Sequence, residues 1–298
     1  MKPIRTALFA PGIKERVMTK ALESATDAVI LDLEDSTPLA LKTEARVCVA
    51  KTIESVAAAN SERPYPAVFV RVNASSTGLQ ADDLAAVVRP GLNAIMIPKI
   101  NKVEEVREIA SALDRYETEN KMRSGTVEII LFFETALGVN RCFDLINASS
   151  RVAATCFGSA QDGDLQADLG CGWSIEGPEL LYARSKVLLD TRAAGSHIVP
   201  LDGVFSNLND ETALVQDSRL SARLGYVGRT IIHPKQIAPV RQAYAVSETD
   251  ATYYRKVVRE FEAVEKAGTA AITVDGKLVD YAMYERARRV VELAKLDS

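Results

Sequence analysis

The chain has 298 residues, and its 36 lysines and arginines against 40 aspartates and glutamates give a net charge of −4. With 47% hydrophobic residues, the composition is that of a soluble protein with a full core, sufficient for one large α/β domain or two smaller ones. The slight acidic excess argues against a nucleic-acid binder and against attachment to an anionic membrane surface, because both would favour a basic excess.

Short apolar segments rich in β-branched residues alternate with longer amphipathic segments along the first 235 residues. The runs AVILDLE and EIILFFE are almost continuously apolar, which favours parallel strands buried on both faces. The predicted strands are Thr6–Pro11, Asp27–Glu34, Ala67–Asn73, Ala94–Lys99, Val127–Glu134, Val152–Gly158, His197–Val204 and Gly228–His233. The predicted helices are Lys14–Glu23, Leu39–Ser55, Asp82–Arg89, Lys102–Glu119, Ala136–Asn147, Glu179–Ala194 and Glu211–Leu224.

Strand–helix units of this size and number predict an α/β fold, a (β/α)8 TIM barrel over residues 1–235. A doubly wound open sheet is the alternative, but it normally has fewer strands, and no G-x-G-x-x-G follows the first strand. After residue 235 the pattern becomes helical over 236–270, then AITVDGKLVD predicts a tight turn at Asp275 and Gly276, and Tyr281–Lys295 predicts a last helix. We interpret residues 236–298 as a C-terminal helical lid that covers a barrel mouth, its own or a neighbouring subunit's.

Cysteine and histidine are sparse and scattered through the sequence. They are Cys48, Cys142, Cys156, Cys171, His197 and His233. Without clustered spacing, neither a zinc site nor a disulfide framework is expected. No signal-peptide pattern and no apolar run of about 20 residues occurs, so we expect a cytoplasmic protein that does not span a membrane. Carboxylates would have to provide most of the ligands for any metal ion.

Polar and charged residues stand at or just after the predicted strand ends, where a barrel places its active site. They are Asp32, Glu34, Asp35, Arg71, Asn73, Lys99, Glu134, Asp162, Asp164, Asp168, Asp202 and His233. Charged groups are costly to bury unless they are paired or bind a ligand, so we expect a catalytic or binding site at this face. Glu134 and an aspartate of the next loop suit Mg²⁺, although these carboxylates could instead cap helices or pair with Arg71 and Lys99.

Eight short motifs follow one another along nearly the whole chain: LFAPG, DAVILDLEDSTP, VRVN, IMIPK, FFETALGV, DLQADLG, PLDGV and IIHPKQI. In this order the sequence resembles the citrate lyase β-subunit-like proteins of the HpcH/HpaI aldolase superfamily, relatives of the malyl-CoA and citramalyl-CoA lyases. The resemblance implies a (β/α)8 barrel, a Mg²⁺ ion, and cleavage or formation of a carbon–carbon bond in a 3-hydroxyacyl thioester of CoA or an acyl carrier protein. It also implies a homotrimer or hexamer in which a C-terminal segment covers a neighbour's site.

Matching motifs carry residue roles over to this sequence. The resemblance implies that Glu134 and Asp164 bind the metal, with Glu134 beside the substrate, and that Arg71 binds the substrate carboxylate. It further implies that Asp280 is an acid/base, which some relatives supply from the adjacent subunit. The loop FGSAQDGDLQADLG is longer than in the family, so Asp162 competes with Asp164 as the second metal ligand. Asp280 could instead be the N-cap of the last helix.

Other functions remain open from the residues alone. Lys99 could form a Schiff base in a metal-independent aldolase, although pairing with a strand-end carboxylate is its simpler role. The chain could be the β subunit of a multi-chain citrate lyase that acts on an acyl-carrier-protein thioester, or a non-catalytic barrel in a larger complex. The combination of Arg71, Glu134 and Asp164 favours a catalyst.

Overall fold

The computed structural model describes residues 1, 4–59, 66–265 and 271–296. The chain divides into two compact units, Met1–Ala243 and Tyr244–Ser298. The first unit contains a closed sheet of eight strands, and the second contains a two-stranded sheet with two long helices. Within the described part of the chain, no helix is long and apolar enough to cross a membrane.

Eight parallel strands close into a barrel in the order in which they occur along the chain. They are β1 (Thr6–Pro11), β2 (Ala28–Asp32), β3 (Ala67–Arg71), β4 (Ala94–Ile97), β5 (Glu128–Phe133), β6 (Val152–Phe157), β7 (Val199–Asp202) and β8 (Gly228–Ile231). Pairing of β8 with β1, in register from Thr6 and Arg229 to Leu8 and Ile231, closes the sheet. The predicted (β/α)8 barrel is confirmed, and the open doubly wound sheet is excluded.

Helices follow the strands as the alternating pattern predicts. They are α1 (Glu15–Leu22), α2 (Lys42–Ala58), α3 (Gln80–Val87), α4 (Val103–Glu119), α5 (Ala136–Asn140), α6 (Cys142–Ile146), α7 (Asp164–Leu169), α8 (Pro178–Ala194) and α9 (Glu211–Leu224). The predicted helix Ala136–Asn147 is two short helices that meet at Arg141. Helix α7 was not predicted, because its six residues are too few to show a helical period.

The second unit begins one helix later than the sequence suggested. Helix α10 (Ile237–Tyr244) lies almost wholly in the barrel unit, where Val240 is fully buried and Arg241 forms an ion pair with Asp27 just before β2. The boundary therefore falls between residues 243 and 244 and not between 235 and 236.

A small aromatic core stabilises the second unit. Helix α11 (Glu248–Glu265) is followed by β9 (Ala271–Val274), β10 (Lys277–Asp280) and α12 (Tyr281–Ala294), and residues 266–270 of the predicted helical stretch lie outside the described residues. The Phe261 ring stacks on that of Tyr284 with centroids 4.7 Å apart. Asp275 and Gly276 both have positive φ, 49° and 77°, as the tight turn of a two-residue hairpin requires.

Candidate active site

A cavity of about 490 Å³ opens at the carboxyl ends of the barrel strands. Residues at or after the ends of seven strands line it: Phe9, Pro11, Asp32, Asp35, Ser36, Arg71, Phe132, Glu134, Gly158, Ser159, Ala160, Gly163, Asp164, Val204 and Ile232. The cavity brings together Arg71, Glu134 and Asp164, to which the family resemblance gave roles in one site. A mixed lining of apolar walls and a few convergent charges is typical of small-molecule sites.

Arg71 at the end of β3 is held by carboxylates at and just after the end of β2. Its Nε and Nη2 atoms donate to the two oxygens of Asp32, each at 2.7 Å. The Nη1 atom lies 3.0 Å from Glu34 Oε2 and 3.2 Å from Asp35 Oδ2. Burial opposes the charge of Asp32, but the Arg71 guanidinium prevails and lowers the pKa of this carboxyl. Asp32 thus occupies the Nε and Nη2 side of the guanidinium, and Glu34 and Asp35 contact its Nη1 atom.

Lys99, just beyond β4, contacts both carboxylates predicted to bind metal. Its backbone N–H donates to Glu134 Oε1 at 3.1 Å, and its Nζ lies 3.4 Å from Asp164 Oδ2. The same Nζ lies 2.9 Å from Glu34 Oε1 and 3.4 Å from Asp35 Oδ1. Although burial lowers the pKa of Lys99, the bond to Glu34 raises it above the ordinary value. A firmly protonated lysine is a poor Schiff-base nucleophile, which argues against the metal-independent aldolase.

Glu134 follows β5 and is only 5% exposed. Burial raises the pKa of Glu134 to about 8, and the negative charge of Glu34 adds to the rise. Asp164 acts in the same direction, whereas Arg71 opposes it. Gly158 allows β6 to approach closely, because a Cβ there would lie 2.7 Å from the Cβ of Glu134. This crowding of carboxylates is relieved when a cation binds.

The donor set fits Mg²⁺. No group of three or more His, Cys, Asp or Glu side chains placed to hold a metal occurs among residues 1, 4–59, 66–265 and 271–296. Two carboxylates at an open cavity suit Mg²⁺, because it usually completes its octahedron with waters and substrate oxygens. Glu134 and Asp164 provide such a pair.

The three aspartates of the loop after β6 have different environments. Asp164 is the first residue of α7 and lines the cavity, with 46% of its side chain exposed. Asp162 has a positive φ of 58° and is exposed, and its backbone N–H donates to Gln166. Asp168 accepts a hydrogen bond of 2.7 Å from the backbone N–H of Ala136. Of the two candidates for the second ligand, Asp164 lines the cavity and Asp162 does not.

Three other strand-end residues have structural contacts. Asp202 is fully buried and paired with Arg184, within an ion-pair network that includes Asp217. Asn73 accepts a hydrogen bond from Lys42, and its amide donates to Asp83. His233 Nδ1 accepts from the backbone N–H of Lys235 and caps a short turn. These residues are accounted for without a ligand.

Asp280 lies in the second unit, at the junction of β10 and α12. Its Oδ1 accepts a hydrogen bond of 3.0 Å from the backbone N–H of Met283, so it is the N-cap of α12. This is the capping role that the sequence had offered as the alternative to catalysis. The side chain is half-buried, and the capping bond fixes the direction in which the carboxylate points.

The neutral residues of the cavity were missed by sequence reasoning. Phe9, Phe132, Val204 and Ile232 form apolar walls, and Ser159 contributes a buried hydroxyl oxygen that has no hydrogen-bond partner within the structure's described residues. In the sequence, only their position near a strand end could have indicated a place in the site. That position is a weak indicator for an uncharged residue, because such residues are also common in the core.

A TIM barrel hosts many different activities, so the class of enzyme is assigned from the families that the sequence matches. Residues 172–297 match the family model described as a C–C bond lyase of the TIM-barrel fold. Residues 5–234 match the HpcH/HpaI aldolase/citrate lyase family, and the chain belongs to this family of enzymes.

Named relatives agree with the assignment. The citrate lyase β subunit of Leuconostoc mesenteroides is 33% identical over 97% of this chain and 93% of its own length. Human mitochondrial citramalyl-CoA lyase is 28% identical over 98% of this chain and 86% of its own. The structure of protein CitE from Mycobacterium tuberculosis, in complex with magnesium, acetoacetate and coenzyme A, is 28% identical and superposes with a TM-score of 0.73, covering 98% of each chain.

Proposed function

We propose that the protein is a Mg²⁺-dependent lyase that cleaves, or forms, a carbon–carbon bond in a 3-hydroxyacyl thioester of the citryl-, malyl- or citramalyl-CoA type. Its products would be acetyl-CoA and a keto acid. The observation that carries the proposal is the convergence of buried Arg71 with Glu134 and Asp164 on one cavity at the barrel mouth. The magnesium, acetoacetate and coenzyme A bound to the similar CitE protein support it.

Glu134 and Asp164 would hold the ion. When bound, Mg²⁺ would act as a Lewis acid toward the oxygen next to the bond that breaks. Arg71 would bind the acid end of the substrate through Nη1, because Asp32 occupies Nε and Nη2. The substrate carboxylate would replace the longer contact of Nη1 with Asp35. The Asp32 pair keeps the guanidinium charged and in one orientation, so the substrate binds to a preformed site.

Asp280 would move the proton between solvent and the carbon of the thioester enolate. Its Oδ1 is used as the cap of α12, which leaves Oδ2 for proton transfer. We propose that residues 244–298 supply this carboxylate to the site of a neighbouring subunit, in a homotrimer or hexamer.

A panel of citryl-, malyl- and citramalyl-CoA, assayed for free keto acid with Mg²⁺ and with a chelator, tests the function. We expect Mg²⁺-dependent cleavage of at least one thioester, and its loss in Glu134→Gln, which keeps the side-chain size and removes the charge. Chelator-resistant turnover that borohydride blocks in the presence of substrate would indicate a Schiff base on Lys99. Turnover only of acyl-carrier-protein thioesters with partner chains would indicate a citrate lyase β subunit, as in the 33% identical relative.

A further inference from the structure

We propose that Lys99 is a built-in competitor of the metal ion, and that its ammonium group lowers the affinity of the site for divalent cations. This inference rests on the proposed function, because it takes Glu134 and Asp164 as the ligands. The Lys99 ammonium lies 3.4 Å from Asp164 Oδ2, where it neutralises the charge that the ion needs. An ion bound to Asp164 and the ammonium would repel each other.

The contacts of the Lys99 ammonium differ in strength, so an ion could displace it from Asp164 and leave its contact with Glu34 in place. The pair with Asp164 is long, and the two side chains are 29% and 46% exposed, so this contact is weak and replaceable. The pair with Glu34 is shorter, at 2.9 Å, and the Glu34 side chain is only 6% exposed. When a cation binds, Nζ can therefore leave Asp164 and keep its stronger partner.

The backbone of Lys99 has the separate task of positioning Glu134. Lys99 has a φ of 49°, in the left-handed region that residues other than glycine seldom adopt. In this conformation its N–H donates to Glu134 Oε1. Strain of this kind occurs where function requires one geometry. Lys99 thus orients Glu134 through its main chain and competes with the metal ion for Asp164 through its side chain.

Lys99→Met separates these tasks, because methionine has a similar length and the same left-handed strain but no charge. We expect Lys99→Met to bind Mn²⁺ at least about tenfold more tightly than the wild type in the absence of substrate, as measured by calorimetry or by the EPR signal of free Mn²⁺. Lys99→Arg keeps the charge and should not show this gain in Mn²⁺ affinity. Lys99→Gln is a second uncharged variant, and thermal melting reports whether each variant is folded.

A double-mutant cycle tests whether Lys99 lowers the Mn²⁺ affinity through its contact with Asp164. On an Asp164→Ala background, Lys99→Met should give little further gain, because the group for which the two cations compete is gone. Equal or weaker Mn²⁺ binding by both Lys99→Met and Lys99→Gln would overturn the inference and make Lys99 a support for the carboxylates. If instead Glu134→Gln and Asp164→Ala left wild-type Mn²⁺ binding unchanged, the ligand set of the proposed function would be wrong, and the inference would fall with it.

Discussion

At the scale of single residues, the site contains a buried ion pair between Arg71 and Asp32. Arg71 stacks over the Phe9 ring, 4.9 Å from its centroid, and both of its bonds to Asp32 are short. A buried charge that loses its partner is far more costly than a solvated one. Asp35, whose side chain is 54% exposed, contacts the same guanidinium through one longer bond and is the natural comparison.

Asp32→Asn should therefore destabilise the protein by about 3 kcal/mol and raise the KM for the thioester, because Arg71 loses the charged partner that makes its two shortest bonds and fixes its orientation. Asp35→Asn should change the free energy of unfolding by less than about 1 kcal/mol. Denaturant unfolding and steady-state kinetics of both variants check this. Equal stability losses in the two variants would show that Asp32 is not the anchor of Arg71.

The charged residues of the site could be predicted because a charge that ends an apolar strand is conspicuous. The choice between Asp162 and Asp164 as the second metal ligand could not be predicted, because it depends on the position of α7. Asp164 begins that short helix and lines the cavity, whereas Asp162 stands before it in a left-handed conformation. A helix of six residues leaves no period in the sequence, so its effect on the two side chains appears only in the structure.

At the scale of elements, a buried carboxylate holds α4 to the strands beside it. Glu117 accepts hydrogen bonds from the backbone N–H groups of Val127, at 2.7 Å, and Gly125, at 2.9 Å. Arg151, just before β6, donates to both of its oxygens. Burial opposes the ionised form of Glu117, but the bonds from Arg151 and the two amides prevail and lower its pKa.

Glu117→Gln should destabilise the protein by about 2 kcal/mol at pH 7, because a glutamine amide replaces an ionised acceptor. The pKa of Glu117 is lower in the folded chain than in the unfolded chain, so its stabilisation is present above the unfolded value and is lost as pH falls through the folded one. The difference between wild type and variant should shrink below about pH 4.5. Exposed Glu119→Gln, in the same helix, is the control. A difference independent of pH would contradict this assignment.

At the scale of the whole molecule, the alternation of strands and helices was sufficient to predict the barrel. The end of the barrel unit could not be predicted, because α10 has the same amphipathic character as the helices that follow. Its place in the first unit depends on long-range contacts, such as the burial of Val240 and the Arg241–Asp27 pair. A long-range contact of this kind leaves no local pattern in the sequence.

If Asp280 serves the site of a neighbouring subunit, two inactive variants should restore each other's activity when they assemble into one oligomer. Glu134→Gln and Asp280→Asn should each be inactive alone, and asparagine keeps the cap of α12, so the second variant should fold normally. Refolded together in equal amounts, they should recover about a quarter of wild-type activity, because each site would draw on two chains at random. No recovery from mixed, folded oligomers would place Asp280 in its own chain's site or outside catalysis.

Anomalous diffraction from crystals loaded with Mn²⁺, in place of Mg²⁺, together with a keto acid would test whether Glu134 and Asp164 hold the metal ion. We expect one peak in the cavity at the barrel mouth, about 2.2 Å from carboxylate oxygens of Glu134 and Asp164, with the keto acid or water completing the octahedron. A peak on Asp162, or on Asp32 and Asp35 without Glu134, would contradict it, as would a cavity that binds the keto acid and no metal.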